Sequence, residues 1–257
     1  MSYTKRKLTM CSLISSWLQI IIYPLIILLN YFFPRQCLTC EQLIQSALPA
    51  GLCSTCWNKI NFITLPFCQK CGRALPYDYG ADVICLKCCH TAPNYELARA
   101  LLIFNEDSKF LIHAFKYYDK PLIAMMLAQL LYVRYQYNIL SADYIIPVPI
   151  HRFKLLLRGY NQAQVLGKYL SDIAKLPIKS NILIKYKWTK SQTKLTKKER
   201  IKNISGSFRI NNSEIIKNKK IILLDDVVTT GTTVNLCAKL LKNAGAKSIF
   251  VLCIAYT

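Results

Sequence analysis

Residues 221–233 read Ile221-Ile222-Leu223-Leu224-Asp225-Asp226-Val227-Val228-Thr229-Thr230-Gly231-Thr232-Thr233. Four apolar residues in a row predict a strand buried on both faces, the pattern of a parallel sheet. The run ends in two acids and then a tight loop of hydroxyls with one glycine. From Val234 the spacing turns helical, with Leu236, Leu240 and Leu241 on one side and Gly245 closing the helix. The element is strand, loop, helix N-terminus. Backbone N–H groups at a helix start favour an anion, and hydroxyls with a glycine let a phosphate come close. Two acids just upstream suit sugar hydroxyls or a hydrated Mg²⁺. A site for a phosphorylated sugar is the physical reading.

This run resembles the phosphoribosyl diphosphate (PRPP) signature of type I phosphoribosyltransferases: an apolar strand, two acids and a T-T-G-x-T loop. The resemblance implies that Asp225 and Asp226 bind the ribose 2′- and 3′-hydroxyls. It implies that Val228, Thr229, Thr230, Gly231, Thr232 and Thr233 wrap the 5′-phosphate.

The second strong signal is a repeat of cysteines. Of twelve cysteines, eight form four C-x-x-C pairs: Cys37 with Cys40, Cys53 with Cys56, Cys68 with Cys71, and Cys85 with Cys88. Each pair puts two thiolates on one side of a turn, and two pairs complete a tetrahedral Cys₄ zinc site. Four such pairs point to metal in a reducing compartment rather than to disulfides. By spacing this is a double zinc ribbon with two structural Zn²⁺ sites, since a closed Cys₄ shell leaves no open position. Sequential and cross-braced pairing of the knuckles both fit the spacing. Cys89 and His90 stand by as substitute ligands, while Cys11, Cys237 and Cys253 read as core thiols. Gly72, behind Cys71, suits the positive φ of a knuckle.

Totals bound the rest. The 257 residues carry 34 Lys plus Arg against 13 Asp plus Glu, a net charge of +21. Such an excess suits nucleic acid, phosphorylated ligands or acidic lipid. Residues 8–34 carry no charge and are strongly apolar, long enough for a membrane span. Lys5, Arg6 and Lys7 before an apolar core also fit a signal peptide, but no small-residue cleavage site stands out. The flanking charges sit badly with a single span, because they would place the rest of the chain outside. A helix packed on the protein, peripheral membrane contact through residues 8–33 and a true span are the alternatives.

In the second half, strands at 101–104, 144–150, 221–224 and 248–255 alternate with helices at 107–114, 121–135 and 162–170. That alternation predicts an α/β fold with a doubly wound parallel sheet, whose ligand sites lie at the carboxyl ends of strands. The strand at 144–150 runs into Pro147-Val148-Pro149, which fixes the backbone. Arg158-Gly159-Tyr160-Asn161-Gln162 follows, and the two together are a second candidate anion site. Residues 185–202 are basic and poor in apolar residues, a loop that includes Lys190, Lys194, Lys197, Lys198 and Arg200. Tyr186, Trp188, Phe153 and Tyr160 interleave aromatic rings with this charge, a pattern that holds single-stranded DNA.

As a set, these motifs make the chain similar to the ComF/ComFC family of competence-associated proteins. The carriers are the ribbons, Lys116-Tyr117, P-V-P, R-G-Y-N-Q, the basic loop with Gln192, Arg200 and Asn203, Gly206-Ser207-Phe208, and the 225–233 signature. The likeness covers residues 33 to 257. It implies a type I phosphoribosyltransferase-like domain (93–257) after a double zinc ribbon (35–92) and an apolar segment (1–34). It also implies a cytoplasmic protein that helps internalised single-stranded DNA during natural transformation, with PRPP and Mg²⁺ as ligands and other competence proteins as partners. By analogy with type I enzymes Lys116, Arg158 and Arg200 surround the diphosphate and residues 190–200 form a hood; the charge of the basic loop makes Lys190, Lys194, Lys197 and Lys198 the candidate DNA contacts. The resemblance establishes no acceptor for transfer. A glutamine amidotransferase lacks its N-terminal catalytic cysteine here, where the chain begins Met1-Ser2.

Overall fold

The computed structural model describes residues 36–44, 51–78, 80, 82–117, 121–187 and 206–257. The chain divides into two compact units, with the boundary after Trp57. The first holds one cysteine-rich turn system, closed by the short helix α1 (Ser54–Asn58). The second holds a further cysteine cluster, helix α2 (Leu86–His90), and a sheet.

The sheet has four parallel strands in the order β1-β6-β5-β2: β1 Leu97–Ile103, β6 Ser248–Tyr256, β5 Lys220–Val228 and β2 Tyr144–Pro147. Both edges are covered by short bridges. Phe62 pairs antiparallel with Leu102, and Ile178 pairs parallel with Ile145. Bridged edges leave fewer unpaired backbone groups.

The run Ile221–Leu224 is wholly buried. Strand alternation sends Ile221 and Leu223 to one face of the sheet, with Ile146, Val148, Ile249 and Val251. Helix α7 (Thr232–Asn243) covers that face through Val234, Cys237, Ala238 and Leu241. Ile222 and Leu224 fall on the other face, where α4 (Pro121–Leu140) and α6 (Gln162–Ala174) lie. Phe250 meets Tyr135 of α4 edge to face at 6.5 Å between ring centres. Apolar demand on both faces is what an unbroken aliphatic strand satisfies.

Elements differ from the sequence expectation mainly at their ends. The strand expected at 101–104 begins at Leu97, because its residues pair with β6 from Phe250 onward. Strand β5 does not stop before the acids but continues through Asp225 and Asp226 to Val228, paired with β6 as far as Tyr256. The nine-residue β6 supplies partners the acids alone would not attract. Helix α3 spans Glu106–Tyr117, and α4 runs five residues past Tyr135, whose φ of −126° marks a kink. An extra short helix, α5 (Arg152–Arg158), follows P-V-P.

Lys185 belongs to β3 (Leu183–Lys185), which pairs antiparallel with β4 (Phe208–Ile210), rather than to the loop. Lys190, Lys194, Lys197, Lys198 and Arg200, with Trp188, Gln192 and Asn203, lie outside the described residues, as does the apolar segment 8–33. Among the described residues no helix is long and apolar enough to cross a membrane.

Candidate functional site

The two carboxylates sit at the carboxyl end of β5, and the loop behind them turns into α7. Gly231 is the residue before the helix and holds φ at +74°, a conformation that side chains with a Cβ resist. Thr230 and Thr232 bring their hydroxyl oxygens to 2.9 Å across the turn. Asp225 and the loop from Val227 to Val234 line a small concavity there. Backbone N–H groups of a helix start, two hydroxyls and a glycine are thus assembled as the spacing predicted.

Beside it lies a cleft of about 280 Å³. Its floor is Asp225, Asp226 and Val227, and P-V-P forms one wall through Val148 and Pro149. Four cations, Lys116, Lys154, Arg158 and Lys185, face the two carboxylates. Lys116 Nζ is 3.2 Å from Asp226 Oδ2, and both side chains are about four-fifths buried, at 23% and 20% exposure. Asp226 N–H donates to Asp225 Oδ1 at 2.9 Å.

R-G-Y-N-Q is what holds this arrangement. Asn161 caps α6 by accepting from Ala163 N–H at 3.1 Å, and its Nδ2 donates to the Val148 carbonyl at 3.1 Å. It therefore ties the P-V-P wall to the helix. Gln162 Nε2 donates to the Lys116 carbonyl at 3.3 Å, and Tyr160 OH donates to the Phe115 carbonyl at 3.4 Å. Both fix the last turn of α3, which presents Lys116. Arg158 reaches Gln162 Oε1 at 3.5 Å. The motif thus acts as a clamp around the cleft and supplies one cation to it.

Electrostatics sharpen the reading. Burial pushes the Asp225 carboxyl well above the usual carboxylate range, and the charge of Asp226 adds to that. Burial lowers the Lys154 ammonium, helped by Arg158 and Lys116. Burial lowers Lys185 too, with Lys154 adding to it. Crowded, desolvated cations favour an anion that offsets their charge.

An acid with a raised folded-state pKa costs the fold stability as pH climbs from the ordinary aspartate value, because the unfolded chain releases its proton first. Asp225→Asn is therefore expected to raise the melting temperature of the ligand-free protein at neutral pH by roughly 2–4 °C. The gain should vanish near pH 3. Scanning calorimetry across that range checks both parts.

The cysteines form two tetrads in sequential pairing. Cys37, Cys40, Cys53 and Cys56 make one, Cys68, Cys71, Cys85 and Cys88 the other, with all sulfurs of a tetrad within 4.8 Å of one another. Cys40 and Cys53 sulfurs are 3.6 Å apart, and those of Cys71 and Cys85 are 3.8 Å apart. A tetrahedron with Zn–S bonds of ~2.3 Å has edges of about 3.8 Å, so zinc fits.

Backbone N–H groups reach the sulfurs as in a metal knuckle: Cys53 to Cys37 at 3.3 Å and Cys85 to Cys68 at 3.2 Å. Burial raises the Cys37 thiol, but N–H groups of Cys40, Cys53 and Thr39 and the Thr39 hydroxyl outweigh it and bring it to about 5. Burial and the neighbouring thiols push Cys56 up to about 12 and Cys71 up to about 11. Four thiolates at this spacing repel each other, and a dication relieves them. Cys89, exposed, and His90 stand outside both tetrads, while Cys237 and Cys253 are buried in the sheet core.

Sequence reading placed Asp225, Asp226, the 228–233 loop, Lys116 and Arg158 together; the structure lines one cleft with Asp225, Asp226, Lys116 and Arg158 and puts the loop around the concavity beside it. It missed Lys154 and Lys185 as cleft residues, since isolated lysines in basic segments look like solvated surface. R-G-Y-N-Q stood out as a candidate anion site, but the clamp made by Asn161 and Gln162 depends on contacts across 13 and 46 positions.

Comparison with known proteins agrees with this geometry. Residues 28–89 match the double zinc ribbon domain and residues 165–257 the phosphoribosyl transferase domain. The chain is 33% identical over 229 residues to competence protein F of Haemophilus influenzae, covering 86% of this chain and 96% of that protein. It is 26% identical over 212 residues to the DNA utilization protein YhgH of Escherichia coli K12, covering 80% and 91%. It is 24% identical over 231 residues to competence protein ComFC of Streptococcus pneumoniae, covering 83% and 96%. A parallel sheet with two acids before a hydroxyl-rich loop, a pair of Cys₄ knuckle sites and a near full-length relative agree, and the chain belongs to the ComF/ComFC family of competence-associated proteins.

Proposed function

We propose that this protein binds PRPP with Mg²⁺ in the cleft at the carboxyl end of β5 and handles single-stranded DNA during uptake. The observation that carries the proposal is the cleft itself: two carboxylates beside a glycine-bearing hydroxyl loop, faced by four cations. Asp225 and Asp226 would take the ribose hydroxyls and the hydrated cation. The 228–233 loop would take the 5′-phosphate. Lys116, Lys154, Arg158 and Lys185 would surround the diphosphate, with Arg200 reaching in from the basic loop. Mg²⁺, when bound, supplies charge neutralisation on the diphosphate. Lys116 Nζ, 3.2 Å from Asp226 Oδ2, stands beside the carboxylates that would hold the cation.

The DNA half of the proposal rests on the family and on the basic loop. Lys190, Lys194, Lys197 and Lys198 would neutralise phosphates, and nearby aromatic rings would stack bases. Tyr186 is half exposed, with Lys187 and Arg209 cations 5.8 and 5.7 Å from its ring. The protein would act in the cytoplasm, with residues 8–33 at the inner membrane face, beside other competence proteins. A layout of apolar segment (1–34), double ribbon (35–92) and phosphoribosyltransferase-like domain (93–257) belongs to the same proposal.

Single-stranded DNA binding should weaken by roughly three hundredfold or more between 50 and 200 mM salt if six or more phosphates are neutralised. Alanine at Lys194, Lys197 and Lys198 together should weaken it further and reduce the salt slope by about 2. Gel shifts over a salt series measure both. Binding indifferent to salt and to the triple substitution would remove the DNA reading.

A second reading is phosphoribosyl transfer to an acceptor, favoured by the same four cations. As diphosphate leaves C1 of PRPP, negative charge grows on it and positive charge on the sugar. Lys116, Lys154, Arg158 and Lys185 would stabilise the first, and Asp225 and Asp226 the second. A PRPP-consumption assay, run with and without single-stranded DNA and candidate acceptors, separates the two: turnover marks the transferase, and intact PRPP marks the binder.

A further inference from the structure

The second cysteine tetrad lies against the phosphate loop. Between its knuckle Cys85–Cys88 and the start of α7 is a cleft of about 310 Å³, lined by Lys87, Tyr95, Thr230, Gly231, Asn235 and Tyr256 among others. Lys87, held between two cysteines of the tetrad, crosses it and donates from Nζ to the Thr230 carbonyl, 143 positions away. Asn94, just beyond the knuckle, donates from its backbone N–H (2.7 Å) and from Nδ2 (3.1 Å) to Oδ1 of Asn235 in the first turn of α7. The Arg73 guanidinium lies 5.2 Å from the centre of the Tyr256 ring, whose hydroxyl would be 3.6 Å from a Cβ on Gly231. The loop is therefore gripped from the ribbon side at its glycine and at the helix it feeds.

We infer that Lys87 is a positioning residue that latches the Thr230–Gly231 peptide in the anion-binding orientation, so that the second ribbon sets the affinity of the phosphate loop. The inference rests on the proposed PRPP site. The reason is peptide geometry. A trans peptide is planar, with its C=O and N–H on opposite sides. A Thr230 carbonyl pulled toward Lys87 turns the Gly231 N–H away from the ribbon, toward the concave side of the loop. Gly231 tolerates the reverse orientation too, having no Cβ to oppose a flip. The loop's own threonine contacts do not hold that carbonyl; Lys87 does. Zinc enters by fixing the knuckle that carries Lys87, and linkage makes the effect reciprocal: a ligand that needs the latched loop also favours the folded knuckle.

The full chain is compared with Lys87→Met and Lys87→Arg. Titration with ribose 5-phosphate probes the loop without the diphosphate site, and titration with PRPP and Mg²⁺ probes both. Zinc is counted in every protein, and its release to a chromophoric chelator is followed with and without saturating PRPP. Lys87→Met should keep two zincs and bind both ligands about tenfold more weakly, as loss of one charged hydrogen bond predicts. Lys87→Arg should restore most of that loss. PRPP should slow release of one of the two zincs in the wild type and neither in Lys87→Met.

Unchanged ribose 5-phosphate affinity in Lys87→Met overturns the latch. So does wild-type zinc release that ignores PRPP, a result that stands even if the Met variant loses its zinc. A wild-type protein that binds no PRPP overturns the site reading and the latch together, and is distinguished by its flat wild-type isotherm.

Discussion

With Asp225 and Asp226 both replaced by alanine, magnesium-dependent PRPP binding is expected to fall by at least about a hundredfold, measured by calorimetry. On the proposed site, two hydrogen bonds to ribose hydroxyls and a carboxylate contact to hydrated Mg²⁺ would be removed at once, and bonds to charged groups are worth ~1.5–3 kcal/mol each. A second effect adds to the loss. Lys116 rests on Asp226 at 3.2 Å, and without that carboxylate it is a cation with no counter-charge beside Arg158 and Lys154. The fold should survive, because β5 is held by ladder bonds to β6 and β2 and by its buried aliphatic run, none of which involves the two side chains. Replacing Asp225 by asparagine alone separates the roles: the ligand-free protein should gain stability while affinity drops. Affinity in the doubly substituted protein equal to wild type would exclude the carboxylates from the site.

The second large effect concerns zinc. Cys68→Ser is expected to lower the zinc content from two per chain to one and to drop the melting temperature by more than any cleft substitution. Cys40→Ser should also cost one zinc, from the other tetrad. A structural zinc contributes on the order of 10 kcal/mol of binding free energy, comparable with the roughly 5–15 kcal/mol net stability of a whole domain.

Cys68 is fully buried, and its turn is built into the sheet unit. Ala98 N–H of β1 donates to the Lys70 carbonyl at 2.8 Å, and Arg99 donates to the Gln69 carbonyl at 2.9 Å and to Gln69 Oε1 at 3.0 Å. Gly72, with φ at +71°, passes so close to Ala98 that a Cβ there would overlap its carbonyl. Three thiols left without their metal would repel one another and loosen this seam. Metal analysis with scanning calorimetry on Cys68→Ser reads both parts. Two zincs retained, or an unchanged transition, would mean that the tetrad is not a structural metal site.

How much of this was legible before the structure depends on the range of the interaction. Residues 221–233 carried their own evidence, because burial on both faces, the acids and the glycine are all local demands. Only the strand's true end was hidden, since Val227 and Val228 stay in the ladder through Ala255 and Tyr256, which no local pattern announces. C-x-x-C spacing told the ligands but not their pairing. Sequential tetrads emerged because each pair of knuckles closes within one turn system, with N–H groups of the later cysteines reaching the earlier sulfurs. Lys154 was unreadable for a different reason. Its helix α5 exposes Phe153, Leu156 and Leu157, so the segment shows no buried stripe to mark a face. Lys185 looked like the first residue of a basic loop, and only pairing with Phe208 turned it into a strand residue facing the cleft. Lys87 could not be found at all from sequence, because its partner is a backbone carbonyl in a distant loop.

The most direct test of the account is a calorimetric titration of the full wild-type chain with PRPP, with and without Mg²⁺, alongside ribose 5-phosphate and diphosphate taken separately. One cleft that joins a phosphate loop, two carboxylates and four cations predicts a single saturable site per chain for PRPP. It also predicts a requirement for Mg²⁺ and an affinity for PRPP well above that for either half. No binding of PRPP, or binding no tighter than that of diphosphate alone and indifferent to Mg²⁺, would contradict it.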